Sequence, residues 1–171
     1  MKVEIKSIKF SESLSEETNA FTANLYIDGK KRGYCRNDGR GGCTDIHGFT
    51  REDNEIIKQA DQWLKENHEK VTYGSTTYDV DLEHKVDLLL ENWLKEKEAK
   101  KYKNKIKKLS ETALVIGKPN GTEILYYKQK KPLRTYKREG LQNWVNMIKE
   151  RDCVDGKVIL NENLAELGIT I

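Results

Sequence analysis

Cys43, Asp45 and His47 lie within five residues of one another. A thiol and an imidazole at that spacing are the components of a nucleophile and its base. With the carboxylate they are also donor types that hold a transition metal. Neither constellation is complete. The sequence supplies no third metal ligand and no orienting group, and His68 and His84 fall on expected helices without H-E-x-x-H spacing. Immediately upstream runs Asn37-Asp38-Gly39-Arg40-Gly41-Gly42, with three glycines in four positions. Glycines let backbone N–H groups converge on an anion, and Arg40 adds a fork of donors suited to phosphate or carboxylate. A helix expected to start at Thr50 would add its dipole. The pattern is neither Walker A, which needs a Lys-Ser/Thr pair, nor G-x-G-x-x-G in a βαβ unit. Asn37, Asp38, Gly39, Arg40, Gly41, Gly42 and His47 are therefore the first candidate contact surface for a ligand or partner. The competing reading is a connection built of tight turns.

A second candidate is electrostatic. Residues 95–138 carry 15 basic and 4 acidic side chains, against 13 and 18 in residues 1–94 and 3 and 6 in residues 139–171. The basic segment holds Lys100, Lys101, Lys103, Lys105, Lys107 and Lys108, then Lys128, Lys130, Lys131, Arg134, Lys137 and Arg138. Tyr102, Tyr126, Tyr127 and Tyr136 are interleaved. Lysines neutralise phosphates and aromatic rings stack on unpaired bases, so the composition suits nucleic acid or an acidic protein surface. The opposing reading is a solvated helix with its lysines spread around the axis and its tyrosines in the core.

The elements that must position these residues follow from periodicity. A short β-like stretch at Val3, Ile5, Ile8 and Phe10, the run Phe21 to Ile27, and Gly33-Tyr34-Cys35 predict three antiparallel strands over residues 2–36, with Asp28-Gly29 as a hairpin turn. The loop then continues to His47 and Gly48. Thr50 and Asp53 resemble a capping box before a helix to about Asn67. Tyr73 to Tyr78 is a turn or short strand. Asp81 begins a long helix whose second half has eight lysines between Lys95 and Lys108. Residues 112–116 and 122–128 flank Pro119-Asn120-Gly121 as a hairpin. Pro132 and Arg134 to Tyr136 read as an edge strand. A helix near Arg138 to Lys149, a turn at Asp155-Gly156 and a short helix from Asn161 to Leu167, capped by Gly168, complete the chain. Strands and helices segregate, which is the α+β pattern: antiparallel hairpins packed on three to four helices. The expected division is 1–110 and 111–171, with one continuous domain left open. Trp63, Trp93 and Trp144 sit at helical spacing among aliphatic residues and read as core.

Apolar residues make up 36% and charged residues 35% of the 171, which is compatible with folding if some helices are long and solvated. No apolar run reaches the 18 or so residues of a membrane span, and Met1 to Phe10 lacks the apolar centre of a signal peptide. A cytoplasmic location is the expectation. Cys35, Cys43 and Cys153 are too few and too irregular for a disulfide framework or a structural zinc site. They read as reduced thiols, with a Cys35–Cys43 bridge left open.

Phe10-Ser-Glu through Phe21, Leu25 to Lys30 with its Asp-Gly turn, the N-x-G-x-G-G loop and His47 together resemble a group of small bacteriophage- and prophage-encoded proteins of unassigned function. The likeness extends through Tyr73 to Leu82 and Leu88 to Leu94, over about the first 110 residues. It implies context: a small accessory protein in the host cytoplasm that binds and redirects host components, including defence systems. The leading expectation is a non-enzymatic binding protein that occupies a host protein or nucleotide ligand, with no cofactor. A nucleic-acid-binding accessory protein led by residues 95–138 is the alternative. A hydrolase or metal enzyme at Cys43, Asp45 and His47 is the third.

Overall fold

The computed structural model describes residues 1–67, 70–74, 76–119 and 121–171, with Tyr73 described by its backbone alone. The sequence expectations at His68, Ser75 and Asn120 lie outside the described residues. The fold is α+β. The chain forms two compact units, Met1–Leu94 and Lys95–Ile171, so the division falls inside the long helix rather than after residue 110.

In the first unit, β1 (Val3–Phe10), β2 (Phe21–Ile27), β3 (Lys30–Asn37) and β4 (Asp45–Gly48) form an antiparallel sheet in chain order. β2 buries Phe21, Ala23, Leu25 and Ile27 on one face, the period-2 alternation of a half-buried strand. The β2–β3 turn places Asp28 at φ 50° and Gly29 at φ 77°, as a two-residue hairpin loop requires. β4 occupies a stretch expected to be loop. Its four residues alternate, with Ile46 turned to the core and Asp45 and His47 outward. Asp45 pairs with Arg36 and His47 with Tyr34.

Thr50 caps α1 (Arg51–Asn67) as expected: the Asp53 N–H donates to the Thr50 hydroxyl at 3.1 Å, and that hydroxyl donates to the Asp53 carboxylate at 2.9 Å. Ile57, Ala60 and Leu64 enter the same core as β2. A small hairpin follows, β5 (Val71–Tyr73) with β6 (Thr76–Tyr78). Asp81 starts α2 (Leu82–Ser110), accepting from the His84 N–H at 2.8 Å. Leu82, Val86 and Leu90 complete the first core, with Trp63 and Trp93 packed against it.

The second unit is centred on β7 (Ala113–Gly117), every residue of which is buried. It lies between β8 (Ile124–Lys128) and β9 (Val158–Ile159), all antiparallel. Leu141, Val145 and Ile148 of α3 (Arg138–Asp152) pack with Leu114, Ile116 and Leu133, and Trp144 packs against them. The expected edge strand at Pro132 to Tyr136 is instead a 3-10 turn, Leu133–Thr135. Pro132 offers no N–H to a ladder, and its carbonyl accepts from both the N–H and the hydroxyl of Thr135, at 3.0 and 2.7 Å. α4 (Asn163–Glu166) is shorter than expected and is followed by Gly168 at φ 69°.

Asn161, 1% exposed, prolongs β9 with its side chain. Its Oδ1 accepts from the Val115 N–H at 2.6 Å and its Nδ2 donates to the Ala113 carbonyl at 2.7 Å. The amide thus occupies the free edge of β7 beyond β9. Asn161→Ala leaves both backbone groups buried and unpaired, a loss of roughly 2–5 kcal/mol. A marked fall in the urea midpoint is expected; an unchanged midpoint would show that the edge finds other partners.

Candidate nucleic-acid interface and the glycine-rich loop

The loop after β3 is ordered by its own polar groups. Asn37 Oδ1 accepts from the Thr18 hydroxyl at 2.9 Å and the Gly39 N–H at 2.8 Å, while its Nδ2 donates to the Gly42 carbonyl at 2.8 Å. The Gly39 carbonyl accepts from the N–H groups of Glu16, Glu17 and Thr18 at 3.0–3.3 Å. Gly41 N–H donates to Thr18 Oγ1 at 3.3 Å, and Arg40 N–H to Asp38 Oδ1 at 3.4 Å. Gly39 sits at φ 87°, and a Cβ there would lie 2.1 Å from the Leu14 carbonyl oxygen. Glycine is required by this close packing. Three N–H groups that would contribute to an anion nest, those of Gly39, Arg40 and Gly41, are thus bonded within the protein.

The loop ends against acid. Thr44, 6% exposed, donates its N–H to Glu83 Oε1 and its hydroxyl to Asp87 Oδ1, each at 2.8 Å. Thr18, Asn37, Cys43, Thr44, Glu83 and Asp87 border a cleft of about 410 Å³. Burial pushes the Asp87 carboxyl up; the Thr44 hydroxyl opposes this, and the charge of Glu83 adds to it. Cys43 is exposed, and the neighbouring Glu83 carboxylate pushes its thiol up, the reverse of what activates a nucleophile.

His47 lies elsewhere, with its ring 5.4 Å from that of Tyr34, which in turn lies 6.4 Å from exposed Phe49. Asp45 is held by Arg36 at 3.2 Å. The expected cluster is therefore divided: Cys43 faces Glu83, while Asp45 and His47 face residues of β3. Among the described residues, no group of three His, Cys, Asp or Glu side chains is arranged to hold a metal. All three cysteines are free, and burial pushes Cys35 up to about 12. Arg40 and Asp38 are exposed. Thr44, Glu83 and Asp87 escaped the sequence reading. Their signal was the four-residue spacing of Glu83, Asp87 and Glu91, which places carboxylates on one helical face.

The basic residues present the opposite picture. The Lys95–Ile171 unit carries 18 basic and 10 acidic side chains, net +8, whereas Met1–Leu94 is −5. Lys100, Lys101, Lys103, Lys105, Lys107, Lys108, Lys128, Lys130, Lys131, Arg134, Lys137 and Arg138 are all exposed. None forms an ion pair among the described residues. On α2 the lysines fall into two rows, Lys101-Lys105-Lys108 and Lys100-Lys103-Lys107, by helical spacing. Half-buried Tyr102, Ile106 and Leu109 lie on the remaining face. Tyr102 donates its hydroxyl to the Lys118 carbonyl at 3.2 Å, and Tyr127 packs on the core beneath Arg151 at 4.9 Å. Tyr126 and Tyr136 are exposed.

Compared with protein-family models, curated proteins and solved structures, the chain matches none. The functional reading therefore rests on this geometry. No described helix is long and apolar enough to cross a membrane.

Two outcomes follow for the acidic cleft. A carboxyl whose pKa is higher folded than unfolded adds stability below its unfolded value of about 3.9; that contribution is lost as pH rises through the folded value. Asp87→Asn, which keeps an acceptor for Thr44, should raise the urea midpoint at neutral pH, with the gain vanishing below about pH 4. Alkylation of Cys43 by iodoacetamide at neutral pH should be slower than that of an unperturbed thiol and faster in Glu83→Gln. Equal rates in native protein and variant would remove Glu83 as the cause.

Proposed function

We propose that this is a non-enzymatic accessory binding protein whose partner is nucleic acid, held by the basic Lys95–Ile171 unit. One observation carries the reading. Twelve exposed cations, without carboxylate partners among the described residues, stand in a unit of net charge +8, with Tyr126 and Tyr136 exposed among them. Unpaired cations release phosphate counterions without first breaking an internal ion pair, and exposed tyrosines offer stacking platforms to unpaired bases. A single-stranded partner uses both. An accessory role in a host cell, which the expected likeness to phage-encoded proteins would imply, is part of this proposal.

The same geometry draws weight away from an anionic nucleotide at residues 37–43. The N–H groups of Gly39, Arg40, Gly41 and Thr44 are bonded within the protein, and carboxylates border the adjoining cleft. A host protein that meets the loop through Arg40 is a separate question, read by the Arg40 variant below.

Fluorescence anisotropy with a labelled single-stranded oligonucleotide tests the reading across a salt series. Affinity should fall steeply as salt rises. The double variant Lys101→Glu, Lys105→Glu should bind at least about tenfold more weakly, with a log–log salt slope shallower by roughly 0.7 for each phosphate that is no longer neutralised. Arg40→Ala should bind as the native protein does. Binding indifferent to salt, or a lysine variant as strong as the native chain, would overturn the proposal.

A further inference from the structure

The four-stranded sheet of the first unit packs one face on α1 and the start of α2 and leaves the other exposed. Strand alternation and the register assign that open face. Thr22, Asn24 and Tyr26 of β2 stand opposite Arg36, Tyr34 and Lys31 of β3. Tyr34 and Arg36 in turn stand opposite His47 and Asp45 of β4. Phe49 joins this face, since its N–H donates to the Arg32 carbonyl at 3.2 Å and carries the pairing one residue past β4. The Tyr34 ring lies 5.4 Å from that of His47 and 6.4 Å from that of Phe49, inclined to both rather than stacked. Tyr34 is 39% and Phe49 52% exposed. Rings gathered on an exposed face mark an interaction site.

Two bulges bring charge to the same face. β1 holds one extra residue between Lys6, opposite Asn24, and Lys9, opposite Thr22, with Ser7 at φ 55°. β3 holds one extra residue, Arg32, between Lys31, opposite Tyr26, and Gly33, opposite Leu25. Strict alternation would turn Lys9 and Lys31 toward the core; each bulge re-aims one lysine to the open face, a use that recurs beside functional sites. Lys31 lies over the Phe49 ring, 5.0 Å from its centre, and Lys6 over Tyr26 at 4.5 Å. Across the four strands the open face carries Lys6, Lys9, Lys31 and Arg36 against Glu4 and Asp45, a net charge of +2. It belongs to a unit of net charge −5. Lys9 and Lys31 have no carboxylate partner among the described residues.

Rings beside unpaired cations suit an anionic partner that carries planar groups. Lysine is depleted in protein–protein interfaces, whereas here lysines lie on and between the rings. The bases of a duplex have their faces stacked on one another, so rings on a sheet meet unpaired bases. Thr22 and Asn24, beside the strip, add donors and acceptors for base edges.

We infer that this open face is a second contact surface for single-stranded nucleic acid. Bases stack on Tyr34, His47 and Phe49, and phosphates are drawn to Lys9 and Lys31. A base takes the place of the Lys31 ammonium over Phe49, an exchange between exposed groups. The inference rests on the nucleic-acid reading for the class of partner and gives His47 a role apart from the glycine-rich loop.

The test uses fluorescence anisotropy with a labelled oligothymidine strand and a wholly abasic strand of the same length. The proteins are the native chain, the double variant Tyr34→Leu, Phe49→Leu and the double variant Lys101→Glu, Lys105→Glu. Leucine keeps apolar bulk on the sheet and removes the aromatic face, so the urea midpoint of the first variant should stay close to the native one. The native protein should prefer the thymidine strand by at least about tenfold, the scale of one base–aromatic contact. The leucine variant should lose most of that preference, with its binding of the abasic strand and its salt slope intact. Lys9→Gln, Lys31→Gln should keep the preference and flatten the slope by roughly 0.7 for each phosphate no longer neutralised. Photo-cross-linking of an iodouracil strand to the native protein should label residues 31–49, a readout that needs no variant to fold. A leucine variant that keeps the preference, or labelling confined to residues 95–171, would overturn the sheet surface and leave the basic unit standing. A ring-dependent preference with native affinity in Lys101→Glu, Lys105→Glu would do the reverse. No strand binding at all would overturn both.

Discussion

The second unit depends on two hydrogen bonds made by one buried amide. Asn161 inserts its side chain where a strand would otherwise continue, satisfying the Val115 N–H and the Ala113 carbonyl at once. Backbone groups buried on both sides of a sheet must be paired, and β9, at two residues, is too short to pair those of β7 by itself. The amide also sets the path of the chain. Leu160 donates its N–H to the Val115 carbonyl, Leu164 enters the core, and Asn163 reaches the end of α2.

The glycine-rich loop shows how the same residues serve an anion or a fold, depending on what surrounds them. Glycines allow the positive φ values at Gly39 and Gly41, but whether the resulting N–H groups face a ligand is decided by neighbours distant in sequence. Here Thr18, Asn37 and Glu83 take those donors or their close neighbours. The carboxylates of α2 then make the border of the loop acidic.

Patterns with a local cause were legible in the sequence. The Asp28-Gly29 turn, the Thr50 cap, the Asp81 helix start and the apolar stripe of α1 each arise from residues within a few positions of one another, and each appears in the structure. What failed depended on distant partners. β4 reads as loop because four residues with one apolar member carry little periodicity, and only its pairing with β3 makes it a strand. Pro132 to Tyr136 reads as extended, yet Leu133 is buried and held by a bond from its N–H to the Glu111 carbonyl, which favours a turn. The exposed lysines and their charge boundary were visible in composition. The open sheet face was not, since the bulges that turn Lys9 and Lys31 onto it depend on strand registers that no local pattern sets.

β7 has a kinetic consequence. Its pairing with β8 closes over a short stretch of chain, but the opposite edge is sealed by residues separated from it by 46 and 48 positions. Contacts of long sequence separation form late because the intervening loop must be closed first. Until that happens, five consecutive buried residues, Ala113–Gly117, present an apolar strand with one open edge, the kind of surface that recruits other chains. The interval between hairpin formation and the arrival of Asn161 is therefore the period in which refolding of this unit is most sensitive to protein concentration.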